Sequence, residues 1–174
     1  MKTLYLLRHA KSSWDDAGLE DHDRPLNARG IENATQMGRY LSKNSYAPTL
    51  VLCSSARRTV ETLERIAPYL PPDHHVQEER GLYLASPQQV LSIIKQADDK
   101  AESLLVVAHS PGTEGCALLL ARPKATGEEA ALRARIEEKF PTGALAVLEL
   151  PASHWRDVAP GTGTLTDFAR PRDL

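Results

Sequence analysis

Arg8 and His9 follow directly on an apolar run, Thr3-Leu4-Tyr5-Leu6-Leu7, that reads as a buried strand. Open α/β sheets gather their ligand sites at the carboxyl ends of strands. An arginine there offers a rigid fork of donors suited to phosphate oxygens, and a histidine can act as nucleophile or base near neutral pH. Two more apolar runs end in similar groups. Thr49 to Cys53 leads into Arg57 and Arg58, and Ser103 to Val107 leads into Ala108-His109-Ser110-Pro111-Gly112. Arg58 falls near the first turn of an expected helix, where backbone N–H groups and the positive dipole end already favour an anion. His109 is likewise poised at a helix start. Packing does not require such convergence, whereas phosphoryl transfer with a histidine nucleophile does.

Bringing these groups together requires strands that alternate with helices. Asn27 is placed to cap a helix that carries Ile31, Ala34, Met37 and Leu41 on one face. Ser54 and Ser55 offer a cap for the next helix, with Val60, Leu63, Ala67 and Leu70 at helical spacing before Pro71-Pro72 ends it. His74 to Gln77 reads as a short strand. Ser86-Pro87-Gln88-Gln89 carries the signature of a capping box ahead of Val90, Leu91 and Ile94. Ser103 to Val107 is apolar at nearly every position, as expected of a central parallel strand buried on both faces. A helix through Leu118 to Leu120 follows, and residues 127 to 139 read as a charged, exposed helix. Ala144 to Leu150 and His154 to Val158 read as two strands around a turn, and the Gly/Pro-rich tail as an extended surface segment. The pattern is that of an α/β fold.

Composition bounds the function. At 174 residues, one domain with a core independent of disulfides or metal is expected. A net charge of -2 with no long basic run argues against bulk attraction to nucleic acid or to an anionic membrane. Cys53 and Cys116 lack the spacing of a zinc site and read as small buried hydrophobes. No cleavable signal or membrane span is expected, which points to the cytoplasm. His22, His74, His75 and His154 are dispersed and read as surface residues. Tyr83 and Trp155 read as core or semi-buried aromatics, and Trp14 as either a pocket flank or a covering hydrophobe. Arg57 reads as a rim residue.

Arg8-His9, Arg24-Pro25-Leu26-Asn27-Ala28-Arg29-Gly30, the run Ser54 to Thr62, Leu82-Tyr83-Leu84-Ala85-Ser86-Pro87, and Val107 to Gly112 occur in this order. The ordered set resembles the histidine phosphatase superfamily, and within it the small phosphohistidine phosphatases of the SixA type. In that pattern Ser-x-x-x-Arg-x-x-x-Thr selects Arg58 over Arg57. The chain departs from it in having Ala108 where glycine is common and Ser110 where asparagine is common. The resemblance implies a three-layer α/β/α sandwich with a central, mostly parallel sheet of the phosphoglycerate mutase-like kind. It implies that His9 attacks phosphorus while Arg8, Arg58 and His109 hold the equatorial oxygens, with Arg24 at the phosphate or at a polar edge of the substrate. It calls for no metal or other cofactor, since cationic side chains carry the charge. The general acid stays open, with Glu78, Glu79, Asp15, Asp16, Asp21 and Asp23 as candidates. The connector from about residue 77 to 86 is too short for the lid of larger relatives, so residues 1 to 174 form a single domain with an open pocket in this reading. The implied substrate is a phosphohistidine displayed on a protein. The alternatives are a small-molecule phosphomonoesterase and a non-catalytic phosphate-binding module.

Overall fold

The computed structural model describes residues 1–174. Six strands form one sheet: β1 (Lys2–Arg8), β2 (Leu50–Ser54), β3 (His75–Glu79), β4 (Ser103–Ala108), β5 (Leu145–Leu150) and β6 (Thr164–Ala169). Their spatial order is β3-β2-β4-β1-β5-β6. The first four pair in parallel, and β5 and β6 add an antiparallel edge. Five helices cover the sheet: α1 (Ala28–Lys43), α2 (Arg57–Ile66), α3 (Pro87–Ile94), α4 (Gly112–Leu120) and α5 (Gly127–Glu138).

Side-chain alternation sorts the strands into two cores. Leu4, Leu6, Leu52, Leu104 and Val106 face α3, α4 and α5, together with Trp155 and Phe168. Tyr5, Leu7, Val51, Leu105 and Val107 point the other way, onto Met37 and Leu41 of α1 and Leu63 and Ile66 of α2. Successive residues of β1 and β4 thus serve opposite cores, which explains why both strands are apolar throughout. The result is a three-layer α/β/α sandwich with a mostly parallel sheet. No helix is long and apolar enough to cross a membrane.

The polar groups at the two ends of the sheet differ. At the amino end, Lys2 is buried, and its Nζ donates to the carbonyls of Asp99 and Ala101 at 2.8 and 3.1 Å. At the carboxyl end the chain after β1 is anchored without using the side chains of Arg8 or His9. The Gly143 N–H donates to the carbonyls of both residues, at 3.1 and 2.9 Å, from a backbone with φ +78°. Thr62 Oγ1 of α2 accepts from the Ala10 N–H at 3.0 Å. Gly30, in the first turn of α1, lies so close to the Lys11 carbonyl that a methyl group would overlap it.

Three expectations are corrected. His154 to Val158 is no strand: Trp155–Asp157 forms a single tight turn, and the last strand is β6, within the supposed tail. Trp155 and Val158, both buried, are three residues apart, which suits a turn and not a period of two. The Trp155 Nε1 donates to the Ala101 carbonyl at 2.8 Å. In β6 the register slips between Val147 and Leu148 of its partner, so Leu165 and Phe168 reach the same core despite their spacing. Ser54 closes β2 and does not cap α2, whose cap is Ala56 without a side-chain hydrogen bond. The Asn27 cap and the Ser86–Gln89 capping box form as expected.

Gly30→Ala is expected to push the first turn of α1 away from Lys11 and destabilise the protein by about 1–3 kcal/mol. Denaturant unfolding measures this, and an unchanged midpoint would show that the contact is not tight.

Candidate active site

The carboxyl ends of β1, β2 and β4 open into a cavity of about 370 Å³. Arg8, His9, Arg24, Arg58 and His109 all line it, and so does Lys11. A larger surface cleft of about 490 Å³ beside Tyr40 and Lys43 contains no histidine.

His9 is buried, and its Nδ1 lies 2.7 Å from the Ala10 carbonyl. A carbonyl only accepts, so Nδ1 carries the proton and the neutral ring keeps its lone pair on Nε2. Arg58 Nε donates to that Nε2 at 3.4 Å. The His109 ring lies 5.3 Å from that of His9, centre to centre. Its Nε2 is 2.8 Å from Ser54 Oγ, while Nδ1 is buried without a partner. Ser54 Oγ also accepts from the Ala56 N–H at 3.4 Å, and when its hydroxyl donates to His109 Nε2 the imidazole proton sits on Nδ1. In that arrangement His109 Nδ1–H is a spare donor.

The arginines are fixed by different means. Arg8 Nη1 donates to the Phe140 carbonyl at 2.8 Å, and its buried Nε has no partner. Arg58 Nη1 donates to the Asp21 carbonyl at 2.7 Å and Nη2 to Asp21 Oδ2 at 3.1 Å. Arg24 Nη1 donates to Ser12 Oγ at 2.7 Å, and Nη2 pairs with Asp21 Oδ1 at 3.2 Å. The Arg24 guanidinium also lies 3.5 Å from the centre of the Trp14 ring, close enough for a cation–π contact. Asp21 therefore bridges two arginines, and the Tyr83 hydroxyl donates to it as well.

These contacts set the charges. Burial is the main cause that lowers His9 to about 4, with Arg58, Arg8 and Arg24 adding to it against the Ala10 carbonyl. His109 falls to about 3, again mainly by burial, then through His9 and Arg58. Both rings are neutral at pH 7. Asp21 is held down to about 2, first by the Tyr83 hydroxyl and then by Arg58 and Arg24. It is thus an ionised tie between cations and not a proton donor. A second carboxylate, Glu114 of α4, acts on Arg8 from behind Ser110, whose Oγ donates to its Oε2 at 2.6 Å. The cavity lining itself, cations around neutral imidazoles, suits an anion.

Among the other candidate acids, none lines the cavity. Glu79 accepts from Gln77 on the exposed strand β3. Arg57 turns away to pair with Glu61 at 2.9 Å. His74 bonds to the Pro71 carbonyl and His154 to Asp99, both away from the cavity. Tyr83 is half-buried, one of the two readings open for it, and its ring packs at 5.4 Å against His109 and at 4.8 Å against His22. The reading of His22 as a dispersed surface residue changes. His22 sits at this rim, with Nε2 2.9 Å from Ser55 Oγ. Ser54 reads first as a cap and only second as a ligand contact, and the signal in the sequence for its place at the site is the Ser-x-x-x-Arg pattern.

A model of the histidine phosphatase superfamily (branch 1) matches residues 4–83. An uncharacterized protein of Mycobacterium tuberculosis is 44% identical over 166 residues, 95% of this chain and 100% of that one. The chain belongs to the histidine phosphatase superfamily. A candidate phosphohistidine phosphatase SixA from Nakamurella multipartitia is 28% identical, with a TM-score of 0.84 over 98% of this chain and 96% of that one. Another from Agrobacterium tumefaciens is 29% identical, with a TM-score of 0.78 over 98% of both. The superfamily member described here is thus similar to SixA-type proteins, and its fold is phosphoglycerate mutase-like.

The unfolded chain protonates its histidines near 6.5, whereas folded His9 and His109 resist until about 4 and about 3. The unfolded state therefore binds more protons below pH 6.5, and stability falls as the pH drops towards 4. Histidine NMR titration with denaturation at several pH values checks this. Substituting His9 and His109 by asparagine should flatten that part of the profile, and titration of both rings near 6.5 would contradict the burial described.

Proposed function

We propose that this protein is a phosphatase that passes the phosphoryl group through His9, and that its substrate is phosphohistidine on another protein. The observation that carries the reading is the unprotonated Nε2 of His9, which keeps its lone pair beside Arg58 in a cation-lined cavity. Nε2 attacks phosphorus as the bond from phosphorus to the leaving nitrogen breaks, and the substrate ring, protonated on its other nitrogen, departs as neutral imidazole. Arg8, Arg58 and the spare His109 Nδ1–H hold the equatorial oxygens and stabilise the charge that shifts during transfer. Arg24, already engaged by Asp21 and Ser12, orients the substrate's edge. Water then attacks the phosphorus on His9, releases inorganic phosphate and restores the neutral ring.

The substrate class follows from the leaving group. An alkoxide needs a proton as it departs; Asp21 is ionised and fully engaged, and Glu114, the carboxylate that acts on Arg8, accepts from Ser110 Oγ at 2.6 Å and does not line the cavity. A phosphoramidate places an imidazole in that position, which departs readily. The mouth also suits a side chain presented by a large partner. Trp14 and Leu84 flank it at 76% and 66% exposure. From β3 to α3 the chain makes only one tight turn over Arg80–Leu82 and a short connector, and Leu84 holds a left-handed φ of 57° there. We take residues 1 to 174 as one catalytic domain with no covering lid.

Incubation with a labelled phosphohistidine protein should give an acid-labile phosphoenzyme that His9→Ala abolishes. Arg58→Ala should lower kcat/KM about 10²–10³-fold, as loss of a donor to the transition state does. Efficient hydrolysis of small phosphomonoesters without turnover of the phosphohistidine protein would overturn the substrate assignment. Absence of a phosphoenzyme with every donor would overturn the nucleophile.

A further inference from the structure

A second cavity of about 290 Å³ adjoins the first, and Lys11 and Thr142 form walls of both. Its cations are Lys11, Arg29, Lys139, Arg170 and Arg172. They come from four places in the chain: the segment after His9, the first turn of α1, the end of α5 and the turn after β6. No carboxylate and no aromatic side chain lines this cavity, whose apolar groups are the rings of Pro141 and Pro171. Arg170 is already paired, since its Nε donates to Asp173 Oδ2 at 2.8 Å. Lys11, Arg29, Lys139 and Arg172 have no carboxylate within ion-pair distance.

The whole chain has a net charge of -2, so this concentration of free positive charge is local. Like charges gathered in one concavity repel each other, and folding gains nothing from them. A bound anion relieves that repulsion. The lining also restricts the kind of anion. A nucleotide or an aryl phosphate would need an aromatic surface to stack on, and no aromatic side chain lines the groove. Flexible, hydrated lysines and arginines around an open polar groove instead suit carboxylates spread along an extended chain.

We propose that this groove binds acidic residues flanking the phosphohistidine of a protein substrate. The inference rests on the function proposed above. The phosphoryl group enters the His9 cavity, and the neighbouring aspartates or glutamates lie past Lys11 and Thr142 among the four free cations. The groove confers specificity and steers encounter, and it takes no part in bond breaking.

Two phosphohistidine peptides, identical except for an Asp/Glu-rich or a Ser/Gly-rich flank, test this with the full-length protein. The acidic peptide should show the lower KM, by roughly tenfold at low salt, and the difference should shrink as salt rises. Arg29→Glu combined with Arg172→Glu should erase the difference through KM, leaving kcat and the turnover of phosphoramidate unchanged. No preference in the wild-type protein, or a preference that survives the double variant, would overturn the groove. Fluorescence anisotropy with both labelled peptides reads the same preference without catalysis. If neither peptide is hydrolysed but the acidic one binds better and only in the wild type, the groove stands and the proposed reaction fails.

Discussion

Burying several guanidiniums at one end of a sheet is the constraint to which the rest of the structure answers. An unpaired buried charge is strongly disfavoured, so each arginine must find acceptors without being neutralised for its work. Arg8 uses a backbone carbonyl, and Arg58 and Arg24 share the single carboxylate of Asp21. The imidazoles answer the same constraint by staying uncharged. His9 donates its only N–H to the Ala10 carbonyl, and His109 leans on Ser54. A strongly positive site results, in which Arg8 Nε and His109 Nδ1 stay buried without partners.

The fold supplies this arrangement through the parallel strands. The order β2-β4-β1 places three carboxyl ends side by side, so residues 8, 9, 54, 58 and 109 meet although β1 and β4 are about a hundred residues apart in sequence. The antiparallel edge has a different task. The segment that enters β5 carries Gly143 against the carbonyls of Arg8 and His9, and it carries Phe140, whose carbonyl holds the Arg8 guanidinium.

The elements legible in the sequence were those whose signal is local or complete. Asn27 and Ser86 cap helices by chemistry contained within four residues, and β4 declares itself by being apolar on both faces. The histidines and arginines could be read because they stand where such strands end. What could not be read depends on contacts distant in the chain. The slip that places Leu165 and Phe168 in one core has no mark in the alternation of β6. Tyr83 and Asp21 are 62 residues apart, and nothing near either residue shows that a phenol holds that carboxylate in its charged form. Ser54 looked like a cap because capping is the commonest local use of a serine before a helix.

The neutrality of the two imidazoles has a thermodynamic corollary. The positive field that attracts an anion into the cavity is part of what suppresses the protons on His9 and His109. An entering dianion offsets that field, so the proton affinity of the rings must rise as the cavity fills. Occupancy and protonation are therefore linked variables, and ligand affinity inherits a pH dependence from groups that are uncharged in the empty protein. Heat measured on binding would change with the ionisation enthalpy of the buffer, although neither ring titrates near neutrality when the cavity is free.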